Sequence, residues 1–186
     1  MITGSMRRAA LLAILALTPV LEAAVGATIG AAVGAIPGPV LAATVGTETG
    51  LQIPRYVTLR AREVNVRAGP GVRYPIDWVY QRPNLPVEVI AEFDTWRKIR
   101  DPDGTEGWVH QSMLSGRRTV VVIGGERLLR RSADPAAPPV ARLESGVIGW
   151  LDGCRREWCE IEVGGLDGWI QRSHIWGVRA DEVARK

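Results

Sequence analysis

Trp96-Arg97-Lys98-Ile99, followed by Asp103-Gly104-Thr105-Glu106-Gly107-Trp108-Val109, decides how this chain is read, because the pattern is written twice. The second version is Trp158-Cys159-Glu160-Ile161, then Gly164-Gly165-Leu166-Asp167-Gly168-Trp169-Ile170. Its tryptophans stand 11 apart, against 12 in the first. Upstream, Arg67 precedes Trp96 by 29 residues and Arg130 precedes Trp158 by 28. A repeat of about 60 residues is too long for a solenoid unit and points to a tandem of two small domains.

Short β-prone runs surround the repeated core. Tyr56-Val57-Thr58-Leu59, Val64-Asn65-Val66-Arg67, Trp78-Val79-Tyr80 and Val87-Glu88-Val89-Ile90 read as strands, and Gly69-Pro70-Gly71 and Asp101-Pro102-Asp103-Gly104 as turns. His110 to Leu114 is long enough only for a 3₁₀ turn, which Ser112, and Ser173 in the second copy, are placed to cap. No long amphipathic helical period is present after residue 44. The chain therefore reads as all-β.

Asn65-Val66-Arg67-Ala68-Gly69-Pro70-Gly71 resembles the opening of bacterial SH3-like (SH3b) domains, and Trp96-Arg97-Lys98-Ile99 with Gly107-Trp108-Val109 resembles their close. The second copy departs at its opening, where Leu128-Leu129-Arg130-Arg131-Ser132 lacks the Gly-Pro-Gly turn. The resemblance implies two tandem small SH3-like barrels, residues 55–116 and 117–178, after a linker at 44–54 and before a charged tail at 179–186. It also implies an extracytoplasmic accessory module, some of whose relatives bind cell-wall peptides.

The first 43 residues carry only Arg7, Arg8 and Glu22 as charges. Met6-Arg7-Arg8 before Ala9-Ala10-Leu11-Leu12-Ala13-Ile14 has the form of an export signal, with Val40-Leu41-Ala42-Ala43 as a cleavage site. The apolar stretch 9–36 is also long enough to anchor the chain in a membrane, although Glu22 interrupts it. Either use places the folded part outside the cytoplasm, in the periplasm or envelope.

Lys and Arg number 23 against 20 Asp and Glu, a formal net charge of +3. So even a balance argues against nucleic acid as a partner. Cys154 and Cys159 stand at the ends of successive strands and read as a hairpin disulfide. The ungapped equivalents in the first copy are Glu92 and Arg97, which can pair by charge. With His174 the cysteines still fall short of a zinc ligand set, and no cofactor is expected. His110 matches Gln171 and His174 matches Met113, so the copies share no catalytic dyad, and no enzymatic activity is expected. Strand alternation puts Trp96 and Trp158 opposite Ile99 and Ile161. With Tyr74, Trp78, Tyr80 and Arg67 they are the candidate ligand-binding residues, an aromatic shelf for a cell-wall peptide or an envelope protein. The competing expectation is a scaffold in which these tryptophans are buried between the barrels.

Overall fold

The computed structural model describes residues 44–182; residues 1–43, where an export or anchor segment is expected, and residues 183–186 lie outside them. Residues 44–54 hold a hairpin of β1 (Thr44–Val45) and β2 (Gln52–Ile53) where a linker was expected. The first copy then supplies β3 (Arg55–Leu59), β4 (Val64–Arg67), β5 (Ile76–Tyr80), β6 (Pro86–Phe93), β7 (Trp96–Arg100), β8 (Glu106–His110) and β9 (Leu114–Ser115). The second supplies β10 (Thr119–Val122), β11 (Arg127–Arg130), β12 (Pro139–Leu143), β13 (Ile148–Arg155), β14 (Trp158–Val163), β15 (Leu166–Gln171) and β16 (Ile175–Trp176).

Strand order is β5-β4-β8-β7-β6-β3-β9 in one sheet and β12-β11-β15-β14-β13-β10-β16 in the other. Adding seven to each label of the first gives the second. Even the irregularities repeat: the register slips between Val66 and Arg67 and between Leu129 and Arg130, and again at Val89/Ala91 and Leu151/Gly153. Such bulges bend a strand and raise its twist, which curls each seven-stranded sheet. Each is a half-barrel: β5 and β9 end the first sheet without pairing to one another, and β12 and β16 likewise end the second.

Alternation fills each concave side. Leu59, Val64, Val66, Val87, Val89, Ile99 and Val109 form the first core; Val120, Val122, Leu129, Leu143, Ile161 and Ile170 form the second. Each such side chain contributes about 1.5–3 kcal/mol on burial. The glycines before Trp108 and Trp169 are fixed by this packing. A Cβ on Gly107 would lie 2.2 Å from Val66 Cγ1, and one on Gly168 would lie 2.6 Å from Leu129 Cγ.

The hairpin between the two central strands is pinned differently in each copy. Cys154 and Cys159 are directly opposed on β13 and β14 and form a disulfide. Glu92 and Arg97 are the opposed pair on β6 and β7, with Arg97 Nε 3.6 Å from Glu92 Oε1. Arg97 faces inward and is 3 % exposed. Its remaining donors go to the carbonyls of Asp94 (2.7 Å) and Trp96 (2.8 Å) and to Gln111 Oε1 (2.9 Å). Glu92 also holds the N-terminal hairpin: it accepts from the backbone N–H of Glu48 and Thr49, both at 3.0 Å, and from Thr49 Oγ1 at 2.7 Å. Arg55 pairs with it at 2.8 Å. Burial alone would raise the Glu92 pKa, but the bonds from Thr49, Arg55 and Glu48 prevail and hold it at about 2.

The halves meet through a buried pair of hydroxyls. Thr58 Oγ1 lies 2.9 Å from Thr119 Oγ1 and accepts from Thr119 N–H at 3.1 Å, while Thr119 Oγ1 donates to Asn84 O at 2.8 Å. Tyr56 meets Trp176 edge-on at 4.9 Å between ring centres. Burial, with the charge of Glu88 adding to it, pushes the Tyr56 phenol up to about 12. Arg118, in the connection, forks onto Glu182 at 2.7 and 3.2 Å and donates to Gly177 O at 2.6 Å. The start of the charged tail is thereby tied back, with Arg179 reaching Gln52 Oε1 at 2.9 Å.

Candidate functional site

A cleft of about 780 Å³ opens between the two half-barrels. One wall is β5 and the residues after it, the floor includes the Asp101–Thr105 turn, and the far wall is the end of β10 with Ser145 and Gly146. Trp78 stands on the lip, 57 % exposed, with Val79 and Ile123 also open to solvent. Trp78 and Val79 take opposite faces of β5, Trp78 on the side of Val66 and Tyr80, and both are exposed because β5 ends its sheet and lacks a neighbouring strand on that side.

The floor is polar. Tyr80, next on the strand, turns inward and donates its hydroxyl to Asp101 Oδ2 at 2.7 Å. Burial, then the hydrogen bond to Asp101 and its negative charge, raise the Tyr80 pKa. Asp101 Oδ1 accepts from the backbone N–H of Asp103 (3.0 Å) and Thr105 (2.8 Å), a carboxylate-held turn that sets Asp103 at the surface. Arg82 crosses the cleft and donates to Gly146 O. Among the described residues, no salt bridge involves Asp101, Asp103 or Arg82. The cleft thus presents both signs of charge beneath an exposed indole.

A family model for the bacterial SH3 domain matches residues 60–116 and again 124–177, more than half of the sequence. The chain belongs to the bacterial SH3 domain family. The matched stretches cover β4 to β9 of one half-barrel and β11 to β16 of the other. No curated protein matches the sequence. Two solved structures are similar at low level, NlpC2 and NlpC1 from Trichomonas vaginalis, each 10 % identical with a TM-score of 0.32. The alignments cover 68 % and 70 % of this chain and 49 % and 48 % of those proteins, so the chain spans about half the length of each.

The SH3 domains place the expected shelf residues apart. Trp78 and Tyr80 line the cleft, and of the two only Trp78 is exposed; Tyr80 is buried. Trp96 is buried as well, which corrects the outward shelf expected of it. Alternation does aim it away from Ile99, but its cross-strand partner on β8 is His110, and the two rings meet edge-on at 5.5 Å. His110, not Ser112, caps the following 3₁₀ turn (Gln111–Met113): its side chain accepts from Ser112 N–H. Trp158 is half-buried in a separate hollow of the second domain. The indole at the domain junction is Trp176, so neither Trp96 nor Trp158 is the ring that meets Tyr56. Tyr74 lies over Gly69, where a Cβ would come 2.5 Å from its ring. Arg67 braces that loop by donating to Tyr74 O at 2.7 Å, and Arg130 repeats the brace on Ala137 O at 2.6 Å. Each arginine commits Nη1 of its guanidinium to its loop. Sequence reading missed Arg82 and Asp101, of which only the Asp-Pro-Asp-Gly turn left a trace. Among the described residues no metal-ligating cluster is present, and no helix is long and apolar enough to cross a membrane.

Proposed function

We propose that this chain is a non-catalytic, extracytoplasmic binding module that recognises an envelope component, a peptidoglycan peptide or a segment of a partner protein, in the cleft between its SH3 domains. The observation that carries this reading is Trp78, exposed above a cleft that holds acidic and basic groups without ionic partners of their own. A peptide supplies the complement: an apolar side chain for the indole, an amine toward Asp103 and a carboxylate toward Arg82. The Cys154–Cys159 disulfide supports a location outside the reducing cytoplasm. The cap role of His110 and the loop-brace role of Arg67 support binding without chemistry.

Co-sedimentation of the full chain with isolated cell wall, and with envelope extract, tests the reading. Retention that drops on Trp78→Ala or Arg82→Ala, with Trp96→Phe unchanged, is expected. Retention indifferent to both cleft substitutions overturns it.

A further inference from the structure

The duplication supplies an internal control for a second site. In the first domain the corner around Trp96 is closed. Val64, which opens β4, is 1 % exposed; Met113, last in the 3₁₀ turn, packs on the core; His110 lies against the indole. At the matching places in the second domain stand Arg127, which opens β11, His174, last in its 3₁₀ turn (Arg172–His174), and Gln171, the cross-strand partner of Trp158. A valine, a methionine and an imidazole in the first domain are replaced by a cation, an imidazole and an amide in the second, where the indole is half-buried. The result is a hollow of about 210 Å³ with Trp158, Arg127, Arg130 and His174 in its lining.

The charge of this hollow is uncompensated. Arg127 donates only to backbone carbonyls, Ile123 O at 3.2 Å and Gly124 O at 2.7 Å, and Arg130 only to Ala137 O. Glu126, the one acid in the lining, is paired with Arg142 at 3.0 Å. Among the described residues neither Arg127 nor Arg130 has a carboxylate within 4.0 Å. A guanidinium carries five donors, so both retain free N–H groups after these bonds. His174 is held below its ordinary pKa by burial and by the Arg127 charge, and so adds a neutral hydrogen-bonding ring. Placing a cation where the sister domain has a core valine forgoes apolar burial, and such local departures gather at functional sites.

We propose that this hollow in the second SH3 domain is a binding site for a small carboxylate carried on an apolar body, such as the C-terminal residue of a peptide: the carboxylate meets Arg127 and Arg130, and the apolar part lies on Trp158. The hollow admits about one residue, and the two arginines suit a planar carboxylate. The site is separate from the cleft and does not rest on it.

Titrating the full chain with N-acetyl-leucine, read by the indole N–H resonances of Trp158 and Trp96, tests the proposal. A millimolar dissociation constant, a shift at Trp158 and none at Trp96 are expected. Arg127→Gln should weaken binding at least about tenfold. Arg127→Gln keeps a polar side chain at a half-buried strand start, and an unchanged melting temperature shows that the fold is retained. No shift at Trp158 overturns the proposal. So do equal shifts from N-acetyl-leucine amide, which lacks the charge, or from inorganic phosphate, which lacks the apolar body.

Discussion

Replacing Glu92 by Gln removes the carboxylate that, among the described residues, alone pairs with Arg97 and Arg55, and that ties the N-terminal hairpin to the first domain. The ionised carboxylate is favoured in the fold, with its pKa taken from an ordinary 4.5 to about 2. At 1.36 kcal/mol per unit this shift is worth about 3 kcal/mol, and screening by solvent around the short hairpin brings it to about 2 kcal/mol. Because the folded-state pKa is depressed, that stability is present above the ordinary carboxylate range and is lost as pH falls from 4.5 through about 2. The glutamine cannot ionise, so its variant lacks this contribution at every pH. Urea denaturation of the full chain and of Glu92→Gln, followed by tryptophan fluorescence, should therefore show a gap of about 2 kcal/mol or more at neutral pH that closes toward pH 2. Other acids, Glu106 among them, titrate equally in both proteins and cancel in the difference. A gap of constant size across that window would refute the reasoning.

Reduction of Cys154–Cys159, or the double serine variant, should cost the second domain about 2 kcal/mol on the chain-entropy model, because the closed loop is short; the denaturation midpoint reads it. Thr58→Val leaves the Thr119 N–H buried without its acceptor, and a loss of about 1–3 kcal/mol in the same assay is expected. Tyr80→Phe removes the hydroxyl bonded to Asp101 and should lower stability by about 1–2 kcal/mol, with cleft ligand retention falling as the Asp101 turn loosens. Gly177→Ala is strained twice, by a φ of +113° and by a Cβ 2.8 Å from Thr119 O, so it should lower the melting temperature measurably.

The duplicated tryptophan pattern carried most of the architecture, because indoles and the glycines beside them answer to core geometry that both copies share: Gly107 is required by Val66 and Gly168 by Leu129 at the matching place on the adjacent strand. The Cys154–Cys159 pairing was legible for the same reason, as two residues facing across one hairpin. What escaped was set by neighbours distant in sequence. Alternation fixes which face Trp96 takes but not that His110 lies over it. Arg67 is grouped with the aromatic residues by sequence, yet its Nη1 braces its own loop at Val72 O and Tyr74 O, and it does not line the cleft. The cleft depends on two domains meeting at Thr58 and Thr119, and no local pattern announces that contact. Residues 44–54, with few apolar positions, read as linker because the anchor that orders them, Glu92, lies about 40 residues away.

Corresponding hairpins fastened by an ionic clasp in one domain and a covalent one in the other give the tandem two unlike weaknesses. Acid loosens the first domain and leaves the sulfur bridge intact; a thiol reductant opens the second and leaves the carboxylate untouched. A single chemical insult of either kind therefore disarms one lobe at a time.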